Sequence, residues 1–294
     1  MNEFSKTSQS ICWELAKRVE KALIDEVSLT PKPGLVDRKT NGSHEDMNYA
    51  LFIKSARTLT PYFYEMAQAA WKKPINRGLR ETIARIGRKA EAAMYQATDQ
   101  VNTHKGAIWS LGLMISVSAS QLSHEGKIEL PVFFENIATL SAFPDLTYQK
   151  KNTTHGEKVK KQFGVNGAYG EAVAGYPHVQ IALMEADRHP DKSKKMRSLH
   201  MLLVIIGSLD DTCILYRSNQ QVLEHVQFLA NEANQTQLPN QSFIKLIHYC
   251  EETHISPGGS ADLLAAALYV QALREENELI GGRAYSMKQK ECVG

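Results

Sequence analysis

Apolar residues recur at helical spacing along most of this chain. Ile11, Leu15, Val19, Leu23 and Val27 fall on one face, with Lys17, Arg18, Glu20 and Lys21 mostly opposite. That is the 3.6-residue period of an amphipathic helix, and Ser8 or Ser10 would cap it. The same reading predicts helices over 46–58 and 61–71. They are split at Thr60-Pro61, a cap followed by proline at the first helical position. A longer amphipathic helix is predicted over 78–100. Residues 108–122 are apolar nearly all round, which predicts a buried central helix. Further helices are predicted over 131–141, 176–187, 193–209, 220–231, 242–252 and 260–276, with the last dozen residues a loose tail.

Strand signals are scarce. Neither Asn41-Gly42 nor Asn166-Gly167 is flanked by alternating apolar residues, as a hairpin requires. No internal repeat or composition shift divides the chain. The expectation is an all-α fold, one multi-helix domain over 1–294, with its site built from loops at helix ends. Neither a G-x-x-x-x-G-K-[ST] loop nor a strand-bounded G-x-G-x-x-G is present, which disfavours P-loop and Rossmann architectures.

Composition narrows the function classes. A hydrophobic fraction of 43% and a charged fraction of 22% are ordinary for a globular protein. A net charge of +2 gives no global sign of a nucleic-acid or membrane-surface partner. The cysteines, Cys12, Cys213, Cys250 and Cys292, form no C-x-x-C pair, which argues against a zinc site or disulfide framework and for reduced thiols. The charged N-terminus has no signal-peptide core, and the longest apolar run, 201–207, is too short to span a bilayer. A cytoplasmic location is expected.

The polar residues gather in blocks between helices: "TPKPGLVDR" (30–38), "NGSHEDM" (41–47), "NTHKGAIWSLG" (102–112), "THGEK" (154–158), "GAYGEAVAGYP" (167–177), "DDTCILYR" (210–217) and "SPGGSADLLA" (256–265). Pro31 and Pro33 stiffen the first block, which would hold Lys32, Asp37 and Arg38 at fixed positions. Ser43, followed three residues later by Asp46, suits a helix cap close to a capping box, leaving Lys32, Arg38 and His44 unexplained. Thr103 can cap the apolar helix, and Lys105 and Gly106 would make its start an anion site. His104 sits there as either a ligand-facing or a core histidine. The glycine-rich 164–175 segment suits close approach of a ligand, with Glu171 at the start of a short helix. Asp210-Asp211 follows an apolar helix at the negative end of its dipole. Arg217, another basic group or a divalent cation would compensate. Gly258, Gly259 and Ser260 precede the last helix as a second anion-binding end, with Ser260 as its cap and Asp262 in its first turn. Together these features predict an α-helical enzyme acting on a nucleotide-like phosphorylated ligand.

In order and spacing, the blocks over 30–265 resemble the triphosphoribosyl-dephospho-coenzyme A synthase family. "TPKPGLVDR", "NTHKGA" and "SPGGSADLLA" carry the resemblance jointly. It implies a transferase that moves the triphosphoribosyl unit of ATP to the 2′-hydroxyl of 3′-dephospho-coenzyme A and releases adenine. The product is the prosthetic-group precursor of the acyl carrier protein of citrate lyase or malonate decarboxylase. Mg²⁺ is the expected metal, ATP and 3′-dephospho-coenzyme A are the small-molecule partners, and a homodimer is left open as the assembly. Breaking the ribose–adenine bond builds oxocarbenium character. Lys32, Arg38, Lys105, Gly106, Arg217, Gly258, Gly259 and Ser260 are candidates for substrate binding. Asp37, His44, His104 and Glu171 are candidates for acid–base work. Asp46, Asp211 and Asp262 are candidate metal ligands. Two stretches depart from the family pattern. Tyr169 stands where arginine is usual. Cys213, Tyr216, Ser218 and Asn219 stand where asparagine, histidine and two glycines are usual. Another nucleotide-dependent helical enzyme would use the same anchors but release pyrophosphate or phosphate. A non-catalytic relative would bind without turnover.

Overall fold

The computed structural model describes residues 6–147 and 155–291, so Thr154 of the 154–158 block and Cys292 lie outside the described residues. Among these residues every regular element is an α-helix, as the periodicity predicts. The helices are α1 (Lys6–Ser28), α2 (Tyr49–Ala70), α3 (Arg77–Ala97), α4 (Lys105–Glu125), α5 (Leu130–Ala142), α6 (His155–Phe163), α7 (Gly167–Val173), α8 (Pro177–Asp187), α9 (Lys194–Ile206), α10 (Thr212–Arg217), α11 (Gln220–Asn234), α12 (Gln241–Glu252) and α13 (Gly258–Glu291).

α4 is the central helix its composition predicts, with nearly every residue from Ala107 to Gln121 buried. It packs against α1, α2, α3, α5 and α13. Each fully buried Leu, Ile or Met contributes roughly 1.5–3 kcal/mol. Buried serines are tolerated there because their hydroxyls bond back along the helix. Ser116 donates to the Gly112 carbonyl at 2.8 Å, and Ser118 donates to the Met114 carbonyl at 2.9 Å. Gly112 lets α2 come close: a Cβ there would lie 2.9 Å from Met66 Sδ. A second group of helices, α8, α9 and α11, packs beside α13 and α12.

Several local expectations are corrected. α1 begins at Lys6, so Ser8 and Ser10 lie inside it and do not cap it. α2 starts late, with Asn48 as the cap accepting from Leu51 N, and Ser43 instead donates to the carbonyls of Cys250 and Ile255. Ser43 is thereby spent on pinning the opening loop to the α12–α13 connection. α3 stops at Ala97 because Asp99 and Gln100 take left-handed backbone angles. Thr103 does not cap α4. Its hydroxyl turns inward to Ser55, and Asn102 accepts from Lys105 N. α13 starts at Gly258, ahead of Ser260, and runs on through Glu291 rather than ending at Glu276 in a loose tail. α6 and α10 are not predicted, since six to nine residues hold too little periodicity to read, and of α7 only a short helix at Glu171 is expected.

The predicted split at Thr60-Pro61 is also absent, and α2 runs through Pro61. Burial explains the continuity. Ala56, Leu59, Phe63, Met66, Ala67 and Ala70 form one buried stripe on both sides of the proline, and interrupting it would expose them. Thr60 also ties this point to α1, its hydroxyl donating to Glu20 Oε2 at 2.5 Å. Pro61 itself is exposed and supplies no N–H for the carbonyl one turn back. Pro61→Ala is therefore expected to stabilise the protein by about 1–3 kcal/mol. Urea denaturation checks this. A lower midpoint would show that the surrounding packing needs the proline's geometry.

Candidate active site

After α1 the chain doubles back, and Lys32 is pressed onto the helix it has just left. Its ammonium lies 2.5 Å from Glu26 Oε1 and donates to the Glu26 carbonyl at 2.9 Å. Both side chains are buried. Burial pushes the Glu26 carboxyl above its ordinary range, while the Lys32 charge works against that shift. Asp37 holds the loop in this shape. It is buried and accepts from the backbone N–H groups of Lys32, Lys39 and Thr40. Gly34 makes the close approach possible, with φ +63° and a Cβ position only 2.1 Å from the Ile255 carbonyl oxygen.

Beside this pair lies His104, just before α4. Its Nδ1 is 2.7 Å from Ser55 Oγ, which in turn accepts from the Thr103 hydroxyl at 2.7 Å. Nε2 is buried and has no hydrogen-bond partner among the described residues. Burial first, and the Lys32 charge second, push the His104 pKa down to about 3. The ring is thus neutral rather than a cation.

Three helix starts, those of α4, α10 and α13, come together here, and the chain's own carboxylates serve them. Asp211 caps α10 through Cys213 N at 2.9 Å. It also accepts from Gly259 N at 3.3 Å, Ser260 N at 2.8 Å and Ser260 Oγ at 2.9 Å. Asp262 reaches the start of α4, where Ala107 N donates to it. Gly106 is what admits it, because a Cβ there would stand 1.9 Å from Asp262 Oδ2. Desolvation, then Glu26 and Asp211, hold the Asp262 carboxyl well above the usual range. The N–H groups at the start of α13, read from sequence as an anion site, are therefore already engaged by Asp211. The charge of Asp211, which looked uncompensated after α9, is met by two helix N-termini.

Glu171 lies within α7, not at its start, and faces His178 near the start of α8. Its Oε1 accepts from His178 N at 2.9 Å, and its Oε2 is 2.7 Å from His178 Nδ1. Burial disfavours a charged His178, but the hydrogen bond and charge of Glu171, the Ser208 backbone and Asp210 outweigh it and raise the pKa. Between them Tyr176 adopts a left-handed backbone, φ +56°, and its buried hydroxyl has no partner among the described residues. Burial, Glu171 and Asp262 all disfavour its ionisation.

Glu26, Lys32, His104, Glu171, Tyr176 and Asp262 line one cleft of about 1060 Å³, together with Arg80, Arg88, Lys105, Trp109 and Arg217. Arg80 lies over the Trp109 ring at 4.7 Å. Arg88 pairs with Asp145, and Lys105 with Glu91, both at 2.5 Å. Of the predicted site residues, Lys32, His44, His104, Lys105, Gly106, Glu171, Arg217, Gly258, Gly259 and Asp262 line it. Asp37, Asp211 and Ser260 lie directly behind its wall through the bonds already given. Arg38 and Asp46 do not line it. Arg38 sits 5.8 Å over the Tyr49 ring, and Asp46 is 63% exposed, 3.9 Å from His44 Nδ1. His44 is depressed in pKa by burial and then by Arg217, so the opening loop and α10 face each other. Sequence reasoning missed Glu26, Arg80, Arg88, Tyr176 and His178. For the arginines a signal existed: Arg80, Ala84, Gly87, Arg88, Glu91 and Tyr95 fall on one helical stripe that faces the cleft.

The departures from the family pattern divide into two kinds. Tyr169, Cys213 and Tyr216 line the cleft. Ser218 and Asn219 have local backbone work, Ser218 donating to the Ile214 carbonyl and Asn219 capping α11 at Val222 N.

The sequence profile described as ATP:dephospho-CoA triphosphoribosyl transferase matches residues 12–280. A Klebsiella pneumoniae protein named 2-(5''-triphosphoribosyl)-3'-dephosphocoenzyme-A synthase is 38% identical, over 88% of this chain and 94% of its own length. Proteins given the same name as probable are 37% identical in Azotobacter vinelandii (86% of this chain, 88% of theirs) and in Pseudomonas fluorescens Pf0-1 (91% and 94%). No solved structure matches. With a family profile spanning almost the whole described chain and relatives aligned nearly end to end, this chain belongs to the ATP:dephospho-CoA triphosphoribosyl transferase family.

Proposed function

We propose that this protein moves the 5-triphosphoribosyl group of ATP to the 2′-hydroxyl of 3′-dephospho-coenzyme A and releases adenine. The observation that carries this reading is the convergence of Lys32, His104, Lys105, Gly106, Glu171, Arg217, Gly258 and Asp262 on one cleft, from blocks far apart in the chain. The family's named reaction needs an anchor for triphosphate, a base for the attacking hydroxyl and hydrogen bonds to the leaving base.

Arg80, Arg88, Lys105 and Arg217 supply the cationic wall for the triphosphate. Lys32 is held further in by Glu26, at the point where phosphate charge would enter the low-dielectric interior. The donor set fits Mg²⁺. Asp262 is a hard oxygen ligand whose charging is opposed by burial and then by Glu26 and Asp211, and a divalent cation would offset that opposition. Asp262, backed by Asp211, would hold it, and when bound it offsets triphosphate charge.

Glu171 takes the proton of the attacking 2′-hydroxyl, and His178 positions its carboxylate through two hydrogen bonds. As the C1′–N9 bond breaks and the C1′–O2′ bond forms, the electron pair moves onto adenine, which leaves as the neutral base after taking up a proton equivalent to the one lost by the 2′-hydroxyl. The neutral His104 and Tyr176 offer hydrogen bonds into the cleft without adding a positive charge beside the developing oxocarbenium ion. Asp37 acts as a positioning residue for Lys32. The product is the prosthetic-group precursor for an acyl carrier protein of the citrate lyase or malonate decarboxylase type.

Incubation with ATP, Mg²⁺ and 3′-dephospho-coenzyme A, followed by chromatography with mass detection, tests the reading. Equal amounts of free adenine and a triphosphoribosyl adduct are expected. ADP, AMP or pyrophosphate, or unchanged substrates from folded protein, would overturn it.

Glu171→Gln keeps the shape and one acceptor but removes the base. Adenine release is expected to fall by about 10²–10⁴-fold, with ATP binding retained in calorimetry. Near-normal turnover would remove Glu171 from the role.

The neutrality of His104 has a pH signature. Its folded pKa is depressed from an unfolded value of about 6.5 to about 3. Its contribution to stability is therefore complete above about pH 6.5 and is lost as pH falls toward about 3. The unfolding free energy from denaturation curves should fall by about 1.4 kcal/mol per pH unit across that window from this group. In His104→Gln the slope should be shallower by that amount. An unchanged slope would mean that the ring is protonated in the folded state.

A further inference from the structure

Away from the cleft, α8, α9 and α11 enclose a group of side chains that the proposed reaction does not use. Glu185 and His189 lie at the end of α8 and just beyond it, and His200 lies in α9. Glu185 and His200 are buried and His189 is half-buried. One ligand atom from each lies within 4.8 Å of the other two. His189 Nε2 is 3.2 Å from Glu185 Oε1, close to the edge of a tetrahedron with bonds of about 2.0–2.1 Å. The two imidazole rings stand 4.1 Å apart between centroids, tilted by 31°.

The hydrogen bonds around the group fix it for ligation. His200 Nδ1 is 2.7 Å from Asn234 Oδ1, and the Asn234 amide donates to Glu185 Oε1 at 2.9 Å. Asn234 Oδ1 can only accept, so Nδ1 carries the His200 proton and Nε2 presents a lone pair. A histidine whose second nitrogen is held by a carbonyl oxygen is the usual arrangement behind a metal ligand. Burial lowers the His200 pKa, which favours the neutral, ligating form.

Two cations face this group. Lys192 Nζ lies 2.8 Å from His200 Nε2, and Arg188 Nη1 lies 3.0 Å from Glu185 Oε2. Arg188 is 73% exposed. Lys192 is on the turn between α8 and α9, on a long stem that can swing to water. An ammonium already occupies the spot where a cation is electrostatically favoured.

We propose that Glu185, His189 and His200 form a binding site for a divalent transition-metal ion of the Zn²⁺ class, entered by exchange with the Lys192 ammonium. Two imidazoles and one carboxylate suit Zn²⁺, Co²⁺ or Ni²⁺ rather than Mg²⁺, so this site is chemically distinct from the acid pair in the cleft. A bound ion ties the end of α8 to α9. The opposite end of α8 carries His178, the partner of Glu171.

The test uses the full chain, stripped with a chelator and desalted. Zn²⁺ is titrated by calorimetry and Co²⁺ by visible absorption. One ion should bind at this site with a cobalt spectrum of nitrogen and oxygen ligands and no thiolate charge-transfer band. The thermal midpoint should rise by several degrees at saturating Zn²⁺. His189→Ala, at the half-exposed ring, should lose this binding while remaining folded by circular dichroism. Lys192→Met should tighten it by about tenfold or more, through removal of an opposing unit charge. No saturable binding, or binding of equal strength in wild type and His189→Ala, would overturn the proposal, since the ion would then sit on thiols or on the cleft acids. Unchanged affinity in Lys192→Met would also count against it.

Discussion

Asp211 accepts hydrogen bonds from Cys213 N, Gly259 N, Ser260 N and the Ser260 hydroxyl, and it is almost wholly buried. One carboxylate thus joins the starts of α10 and α13, which are 49 residues apart at the Ser260 bond. A buried charge is tolerable only when its acceptor sites are filled by donors. Here the donors are helix-terminal N–H groups that would otherwise be orphaned. Each side satisfies the other, and the bond sets where the cleft's floor lies relative to its α10 wall.

The rest of the floor follows from the same economy. Asp262, one turn into α13, reaches the start of α4 because residue 106 has no side chain. Glu26, in the last turn of α1, is compensated by Lys32 from the loop that follows. The cleft therefore has an acidic floor made of residues whose shape is fixed by helix starts and ends. Its cationic wall comes from α3, α4 and α10. This is electrostatic preorganisation in the ordinary sense: the charges are placed before a ligand arrives, and their desolvation is met by folding.

Burial also separates histidines that look alike in sequence. His104 is neutral because it is deep and beside Lys32. His178 is raised against the effect of its burial, because Glu171 bonds to its ring and lends it negative charge, with the Ser208 backbone and Asp210 adding to the effect. His44 is lowered beside Arg217. Of these three, His104 and His44 fall in blocks rich enough in polar residues to be noticed along the chain. His178 follows a proline at a helix start and carries no local signal. Its importance comes from the carboxylate seven residues away.

The sequence by itself determined the helical fold, the centrality of α4 and the blocks that meet at the cleft. Hydrophobic periodicity and clustered Gly, Pro and charged residues are local properties, readable within one or two turns. Tertiary structure alone decided what each polar residue bonds to. Ser43, Thr103 and Ser260 have the chemistry of caps, yet their hydroxyls go to Cys250 and Ile255, to Ser55 and to Asp211. Pro61 has the chemistry of a helix start, yet the buried stripe of α2 runs through it. In each case a partner distant in sequence competes with the local one. Removing both groups from water makes that distant bond and that burial worth more than the local preference, and this energy exists only once the helices have packed.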